Sequence, residues 1–429
     1  MISLRNGRRR GTVLVGLLAL VAPVALSACA EPGATGGASG GGEGVEFGAT
    51  KEEYAKALAD IDPIVIHAQS PSPKGAITGR KFEGYMKAVE DWSDGKITFD
   101  IAYSNAVAPP TEIDDALADG RLDLGSVLPA YEPQEYPASA ALAAATFAGD
   151  QGAYLGLLES NTWWLDVGYH TPQMFDELDK NGVTLLMPAF NSGLITMMCA
   201  KPQRALADFK GKQVIVGTEA QSKSVKNLGA APVSMAYPEI FESLQRGVAD
   251  CTMNSLLVAE LGGFLEVVPH VVVDSGAGFG SGPGGWAFST QAWESYPLVV
   301  RQLLFDRLDA FMESNFESVW ETIASAVRKI KGAGGEISEY ADDARANIAA
   351  TNKSMLDDLR KNTAVGDGDA WVDNLEKTID KWHAKIPELG FGEEVSYDDF
   401  PDFYQPGKVD LKPLVDQVFK DILLEHRPS

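Results

Sequence analysis

Cys29 closes the run Leu26-Ser27-Ala28-Cys29, small residues leading to a thiol just after the uncharged apolar stretch Val13 to Leu26. This is the pattern of a bacterial lipobox. A diacylglycerol is attached to the thiol, the chain is cut before it, and the new amine can be acylated. Arg5, Arg8, Arg9 and Arg10 form a positive leading region, and the apolar run is short for a membrane span, so a cleaved signal is expected. Lipidation at Cys29 would anchor the protein to the outer face of the cytoplasmic membrane.

The other reactive residues lack the spacing that chemistry requires. His67, His170, His270, His383 and His426 form no HExxH or paired pattern, so no metal is expected. There is no GxSxG elbow, and no carboxylate pair stands out among many surface acids, so neither an enzyme nor a cofactor is expected. A GxGxxG string begins at Gly280, but Pro283 interrupts it and Trp286-Ala287-Phe288 reads as extended chain, not as a helix start. A hinge loop suits Gly276 to Gly285 better. After Cys29, only Cys199 and Cys251 remain; an oxidising exterior permits a disulfide, and two buried thiols are the alternative.

A formal charge of −24 disfavours nucleic acid and anionic lipid surfaces as partners. It leaves room for an anionic ligand in a locally basic site. Glu31 to Glu46 is rich in Gly, Ala and Ser and reads as a flexible tether. The remainder is long enough for two lobes.

The elements that must position any site carry a duplication. Thr111-Glu-Ile-Asp-Asp-Ala-Leu-Ala-Asp-Gly120 leads into Asp123, and Pro238-Glu-Ile-Phe-Glu-Ser-Leu-Gln-Arg-Gly247 leads into Asp250, 127 positions later. Each copy reads as a short helix stopped by Gly in a left-handed conformation, then a strand, Leu122–Val127 or Val248–Met253. Around them, Ile64–Ala68 and Ile97–Tyr103 read as strands, with a helix from Thr78 or Gly79 presenting Phe82, Tyr85, Met86, Val89 and Trp92 on one face. Further strands are expected at Val183–Met187, Leu194–Ala200, Val214–Val216 and Val267–Val273. Trp163 and Trp164 are expected in the core, and the chain beyond Gln291 is expected to be mostly helical. The alternation gives an α/β fold with a parallel sheet in each half.

In the second half Leu206-Ala-Asp-Phe-Lys-Gly-Lys-Gln-Val-Ile-Val216 is followed by Leu228-Gly-Ala-Ala-Pro-Val-Ser-Met-Ala-Tyr-Pro-Glu-Ile-Phe-Glu-Ser-Leu-Gln-Arg-Gly-Val-Ala-Asp250. This resembles the solute receptors of tripartite ATP-independent periplasmic (TRAP) transporters, which run DLKGLKIRVP and then a GA-P…AL-G-VDG-EN pattern. The resemblance implies a two-lobe, periplasmic-binding-protein-like (type II-like) fold with crossing hinge strands and a helical C-terminal region. It also implies a small organic solute between the lobes and delivery to integral-membrane permease subunits. The expected division is a signal peptide at 1–28 and a lipidated tether at 29–60. Lobe one spans 61–192, with 281–325 returning to it, and lobe two spans 193–280, with 326–429 as helical remainder. A receptor for an ATP-driven importer, a ligand-presenting sensor and a cell-surface hydrolase are the alternatives.

The family's signature arginine, which usually grips a substrate carboxylate through paired hydrogen bonds, falls on Ile215, and a second basic position falls on Ile195. Acid and base positions of acid-sugar receptors fall on Leu128 and Tyr131. A buried carboxylate without a good partner is expensive, so the expected solute is less acidic, or more apolar or aromatic, than a dicarboxylate. A shifted loop bringing Lys212 or Arg204 into the role is the alternative. The candidate ligand-binding residues are His67 at a strand's carboxyl end, Thr111 and Tyr237 at the repeated helix starts, Tyr131, Asn191, Ile195, Ile215 and Asn254.

Overall fold

The structure, a computed structural model, describes residues 44–392 and 394–429. The signal segment and Cys29 lie outside the described residues. The boundary of the tether is corrected. Helix α1 (Lys51–Ala57) is fastened by a reciprocal capping box in which Glu53 N–H donates to Thr50 Oγ1 at 3.2 Å and Thr50 N–H to Glu53 Oε2 at 2.7 Å. Tyr54 and Leu58, four residues apart, are buried on the body of the protein. This segment is therefore folded, and it is docked from Val45, whose N–H donates to Gln302 Oε1 at 2.7 Å.

Eleven strands among the described residues form two sheets: β1 (Ile64–Gln69), β2 (Ile97–Ala102), β3 (Leu124–Val127), β4 (Val183–Phe190), β5 (Thr196–Cys199), β6 (Gln213–Val216), β7 (Ala231–Ser234), β8 (Cys251–Asn254), β9 (His270–Val272), β10 (Gly284–Ser289) and β11 (Glu336–Ser338). The first sheet has the order β2-β1-β3-β10-β4 and the second β11-β9-β5-β8-β6-β7. In the first, β1 is parallel to β2 and β3, while β10 runs antiparallel between β3 and β4. In the second, β6 is parallel to β7 and β8, while β5 runs antiparallel between β8 and β9. Apart from β11 on an edge, one sheet repeats the other. Cys199 and Cys251 face each other on β5 and β8 and are joined in a disulfide.

Helix α2 (Arg80–Trp92) buries Phe82, Tyr85, Met86 and Val89 against the first sheet's core, and Asp94 and Gly95 end it at φ of 51° and 75°. The duplicated segments are helix α3 (Ile113–Ala118) with β3, and helix α4 (Ile240–Gln245) with β8. Gly120 and Gly247 stand at φ of 78° and 68°, the left-handed stop expected of both. The shared aspartates explain why the pattern recurs. Asp123 N–H donates to His67 O and Asp123 Oδ2 accepts from His67 N–H, each at 2.8 Å. Asp250 makes the same pair with Gln213, both at 2.9 Å. Each aspartate thus locks the turn after the helix onto the neighbouring parallel strand. This turn consumes residues, so the strands begin at Leu124 and Cys251, later than their sequence patterns suggest.

The chain crosses between sheets through 191–195 and returns through 273–283, which contains most of the Gly-rich loop. Helix α5 (Leu308–Gly332) is one continuous element in the helical region expected beyond Gln291. At 25 residues it is about 37 Å long, enough to reach along both lobes. It packs on α2 of lobe one and on the Leu256–Gly262 helix of lobe two. The assignment of 326–429 to lobe two needs correction. Helix α6 (Asp342–Leu359) packs on the Glu219–Asn227 helix of lobe two, but helix α7 (Gly368–Glu388) lies along the Leu155–Tyr169 helix of lobe one. The latter helix buries Trp163 and Trp164. No helix among the described residues is long and apolar enough to cross a membrane.

If the aspartate ties are what the duplication preserves, Asp123→Ala and Asp250→Ala should each lower unfolding free energy by about 1 kcal/mol. Urea midpoints would measure this; unchanged midpoints in both variants would remove the ties from the account.

Candidate functional site

Between the sheets lies a cavity of about 150 Å³, walled by both lobes and both crossings. A dry cavity of that order accepts one six-membered ring. It sits beyond the carboxyl ends of β1, β3 and β8, where open α/β sheets place ligands. Gln69 and Pro71 follow β1, Leu128 and Tyr131 follow β3, and Asn254 and Ser255 end or follow β8. Phe82, Ile113, Leu128, Phe190, Ile195 and Leu257 make the walls chiefly apolar.

Four candidate residues meet there: Tyr131, Ile195, Tyr237 and Asn254. Asn105 Nδ2 of lobe one donates to Tyr237 Oη of lobe two at 2.6 Å, a polar latch across the cleft. Asn105 and the preceding Ser104 hold left-handed backbone, at φ of 55° and 57°. Gln69 fixes this loop by accepting from Val107 N–H at 2.9 Å and Ala108 N–H at 3.0 Å. Burial raises the hydroxyl pKa of Tyr131 and pushes that of Tyr237 up to about 12, so both phenols stay protonated as neutral donors. Asn254 Nδ2 donates to Thr252 Oγ1 at 2.7 Å.

The other four are placed elsewhere. His67 points out of the first sheet with its side chain 59% exposed, 3.6 Å from Asp100. The cavity is reached two residues further along the same strand face, by Gln69. Thr111 precedes Glu112, the cap residue of α3, and lines a separate small pocket with Asp114, Glu132 and Tyr136. Ile113 is the residue of that helix start that enters the main cavity. Asn191 is wholly buried in the crossing, donating from Nδ2 to Ser160 Oγ at 2.7 Å and accepting at Oδ1 from Gly193 N–H at 2.8 Å. Its amide is spent on the hinge. Ile215 is also wholly buried, inside lobe two beside Thr252 of β8, and the cavity wall begins at Gly217. Hydrocarbon therefore lines the cavity at Ile195 but not at Ile215. Lys212 faces Asp250 at 3.6 Å and Arg204 donates to Glu339 O at 2.8 Å; neither reaches the cavity.

Sequence reasoning missed Lys81. It is the one charged residue among those lining the cavity, and it is 2% exposed. Its Nζ donates to Ser192 Oγ at 2.7 Å and Asn315 Oδ1 at 3.0 Å, with the rings of Phe82 and Phe190 5.5 and 5.1 Å away. No carboxylate pairs with it among the described residues. Burial alone lowers its pKa from the ordinary 10.5 to about 7. A signal was present: Lys81 precedes Tyr85 by four residues and so interrupts the buried stripe of α2.

An unfolded chain keeps Lys81 protonated up to about pH 10.5, whereas the folded one releases the proton near 7. The cost of burying the charge is therefore full below pH 7 and is relieved as pH rises from 7 towards 10.5. Replacing Lys81→Met should stabilise the ligand-free protein more at pH 7 than at pH 9, read as the difference in urea midpoint between variant and wild type. An equal difference at both pH values would contradict a buried, partnerless ammonium.

Comparison with known proteins places this geometry. The chain matches the family model of bacterial extracellular solute-binding protein, family 7, over residues 68–362. The ectoine-binding periplasmic protein TeaA of Halomonas elongata is 24% identical over 167 residues, 39% of this chain and 48% of that protein. The match thus spans about half the length of this curated relative. Among solved structures, a marine metagenome TRAP solute-binding protein from an unidentified microbe, specific for aromatic acids and bound to 3-hydroxybenzoate, superposes with a TM-score of 0.63. It is 19% identical, and the match covers 75% of this chain and 99% of that one. The sugar acid binding protein of Advenella mimigardefordensis, in complex with galactonate, gives 0.64 at 18% identity, covering 75% of this chain and 100% of the other. Both share the two-lobe fold, and the family match covers well over half of the sequence: this chain belongs to the bacterial extracellular solute-binding proteins of family 7.

Proposed function

We propose that this protein is the extracytoplasmic receptor of a TRAP-type transporter, anchored through lipid on Cys29. It captures a small organic solute between its lobes and hands it to the membrane permease, with no chemistry of its own. The solute is less acidic and more apolar or aromatic than a dicarboxylate. One observation carries this reading of the ligand: the cavity walls are mostly hydrocarbon and aromatic, and Lys81 is their single charge. Two carboxylates desolvated there would face one cation, leaving the second without a charged partner. Polar lining from Tyr131, Tyr237, Asn105 and Asn254 suits hydroxyl or amide substituents instead. Closure over the solute shifts the open–closed equilibrium, and the Asn105–Tyr237 hydrogen bond is available to hold the closed state.

Native mass spectrometry of freshly purified protein is expected to reveal a retained ring-bearing molecule with at most one acidic group. Recovery of a di- or tricarboxylate would contradict the proposed ligand class. For the anchor, metabolic labelling with a radioactive fatty acid should mark the wild type and leave Cys29→Ala unlabelled; equal labelling would remove Cys29 as the lipid site.

A further inference from the structure

The head of Lys81 has an unusual hydrogen-bond account. An ammonium has three donors. Two are taken by neutral oxygens, Ser192 Oγ and Asn315 Oδ1, and the third meets no acceptor among the described residues. Ser192 accepts from Lys81, and its own hydroxyl hydrogen is given to no group among the described residues. Lys81 and Ser192 both line the cavity, with their polar atoms 2.7 Å apart. That places two spare donors side by side where the crossing meets a chiefly apolar chamber. Two adjacent donors, one cationic, match the two oxygens of a carboxylate, the service an arginine fork provides elsewhere.

We infer that Lys81 and Ser192 together form a carboxylate seat, so that the solute is a monocarboxylate whose single acid group lies against the crossing and whose ring lies between Phe82, Phe190 and Ile195. The inference rests on the receptor reading above and narrows it from a weakly acidic or apolar solute to one with one negative charge. Three features support it beyond the paired donors. Among the lining residues there is no acid to neutralise the ammonium, and a buried charge without an ionic partner is costly. There is also no second cation, which disfavours a second carboxylate. Asn315 extends the contact into the hinge. Its Oδ1 accepts from Lys81, and its Nδ2 donates to Asn191 O at 2.9 Å and Asn161 Oδ1 at 3.1 Å. An acid seated on Lys81 therefore touches the segment where the chain changes lobes, in the same cavity that the Tyr237 latch lines.

The test compares acids with their primary amides, which keep the ring and lose the charge. Wild type, Lys81→Met, Lys81→Arg and Ser192→Ala would be titrated calorimetrically with 3-hydroxybenzoate, phenylacetate, their two amides, and phthalate as a dicarboxylate. Wild type should prefer each acid over its amide by roughly 10- to 100-fold, the range of one charge-assisted hydrogen bond. Lys81→Met should abolish that preference while still binding amides, Ser192→Ala should reduce it, and Lys81→Arg should retain it. Phthalate should bind more weakly than the monoacids. Wild type binding amides as tightly as acids, phthalate binding best, or Lys81→Met keeping the acid preference would overturn the seat while leaving the receptor reading intact. Failure of every acid and amide to bind wild type would instead overturn the ring-bearing ligand class, and the seat with it.

Discussion

A lysine ammonium beside two phenylalanine rings, with a serine hydroxyl and an asparagine amide as its only hydrogen-bond acceptors among the described residues, sets the terms for the rest of this molecule. Such a charge is expensive to bury without an anion. The surrounding groups are arranged to bear that cost locally. Asn315 is oriented by Asn161 and Asn191, and these in turn hold the first crossing between lobes. The same polar knot that tolerates the charge therefore fixes the hinge. An anion arriving at Lys81 would give this ammonium an ionic partner at the crossing between the lobes.

Around this point the fold is a duplication put to use. Each lobe offers the carboxyl ends of its parallel strands to the gap, and each keeps the turn before its third strand rigid through one aspartate. Rigid strand ends matter because a cavity of this size gains selectivity only if its walls hold their places. Helix α5 spans both lobes and carries Asn315, so it links the spine of the molecule directly to the site. The disulfide between β5 and β8 fastens the second sheet at the strand ends away from Asn254.

Much of the architecture is legible in the residues alone. Left-handed glycines at 120 and 247, the stripe of α2 and the repeated aspartates each carry a local physical cause that survives folding. Site residues are less legible because their roles depend on where a strand ends. His67 and Gln69 share a strand face, and only the second lies under the neighbouring loop and lines the cavity. Asn191 sits at the crossing, but whether an amide there points into a cleft or into the hinge depends on Ser160 and Asn161, some thirty positions away in sequence. Ile215 is enclosed in the core of lobe two, and the strand it belongs to reaches the cavity only two residues later, at Gly217. Lys81 precedes the buried Tyr85 by one turn, a faint signal because a lysine so placed usually snorkels to solvent; here the rings of Phe82 and Phe190 lie close to its Nζ.

The measurement that bears most directly on the partnerless ammonium is proton uptake on binding. Calorimetry of the protein's co-purifying solute would be run at pH 8.5 in two buffers of different ionisation enthalpy. If Lys81 is mostly neutral in the ligand-free protein and becomes charged against a carboxylate, wild type should take up close to about one proton per ligand, and Lys81→Met none. Zero uptake by wild type, or the same uptake by both proteins, would contradict the account.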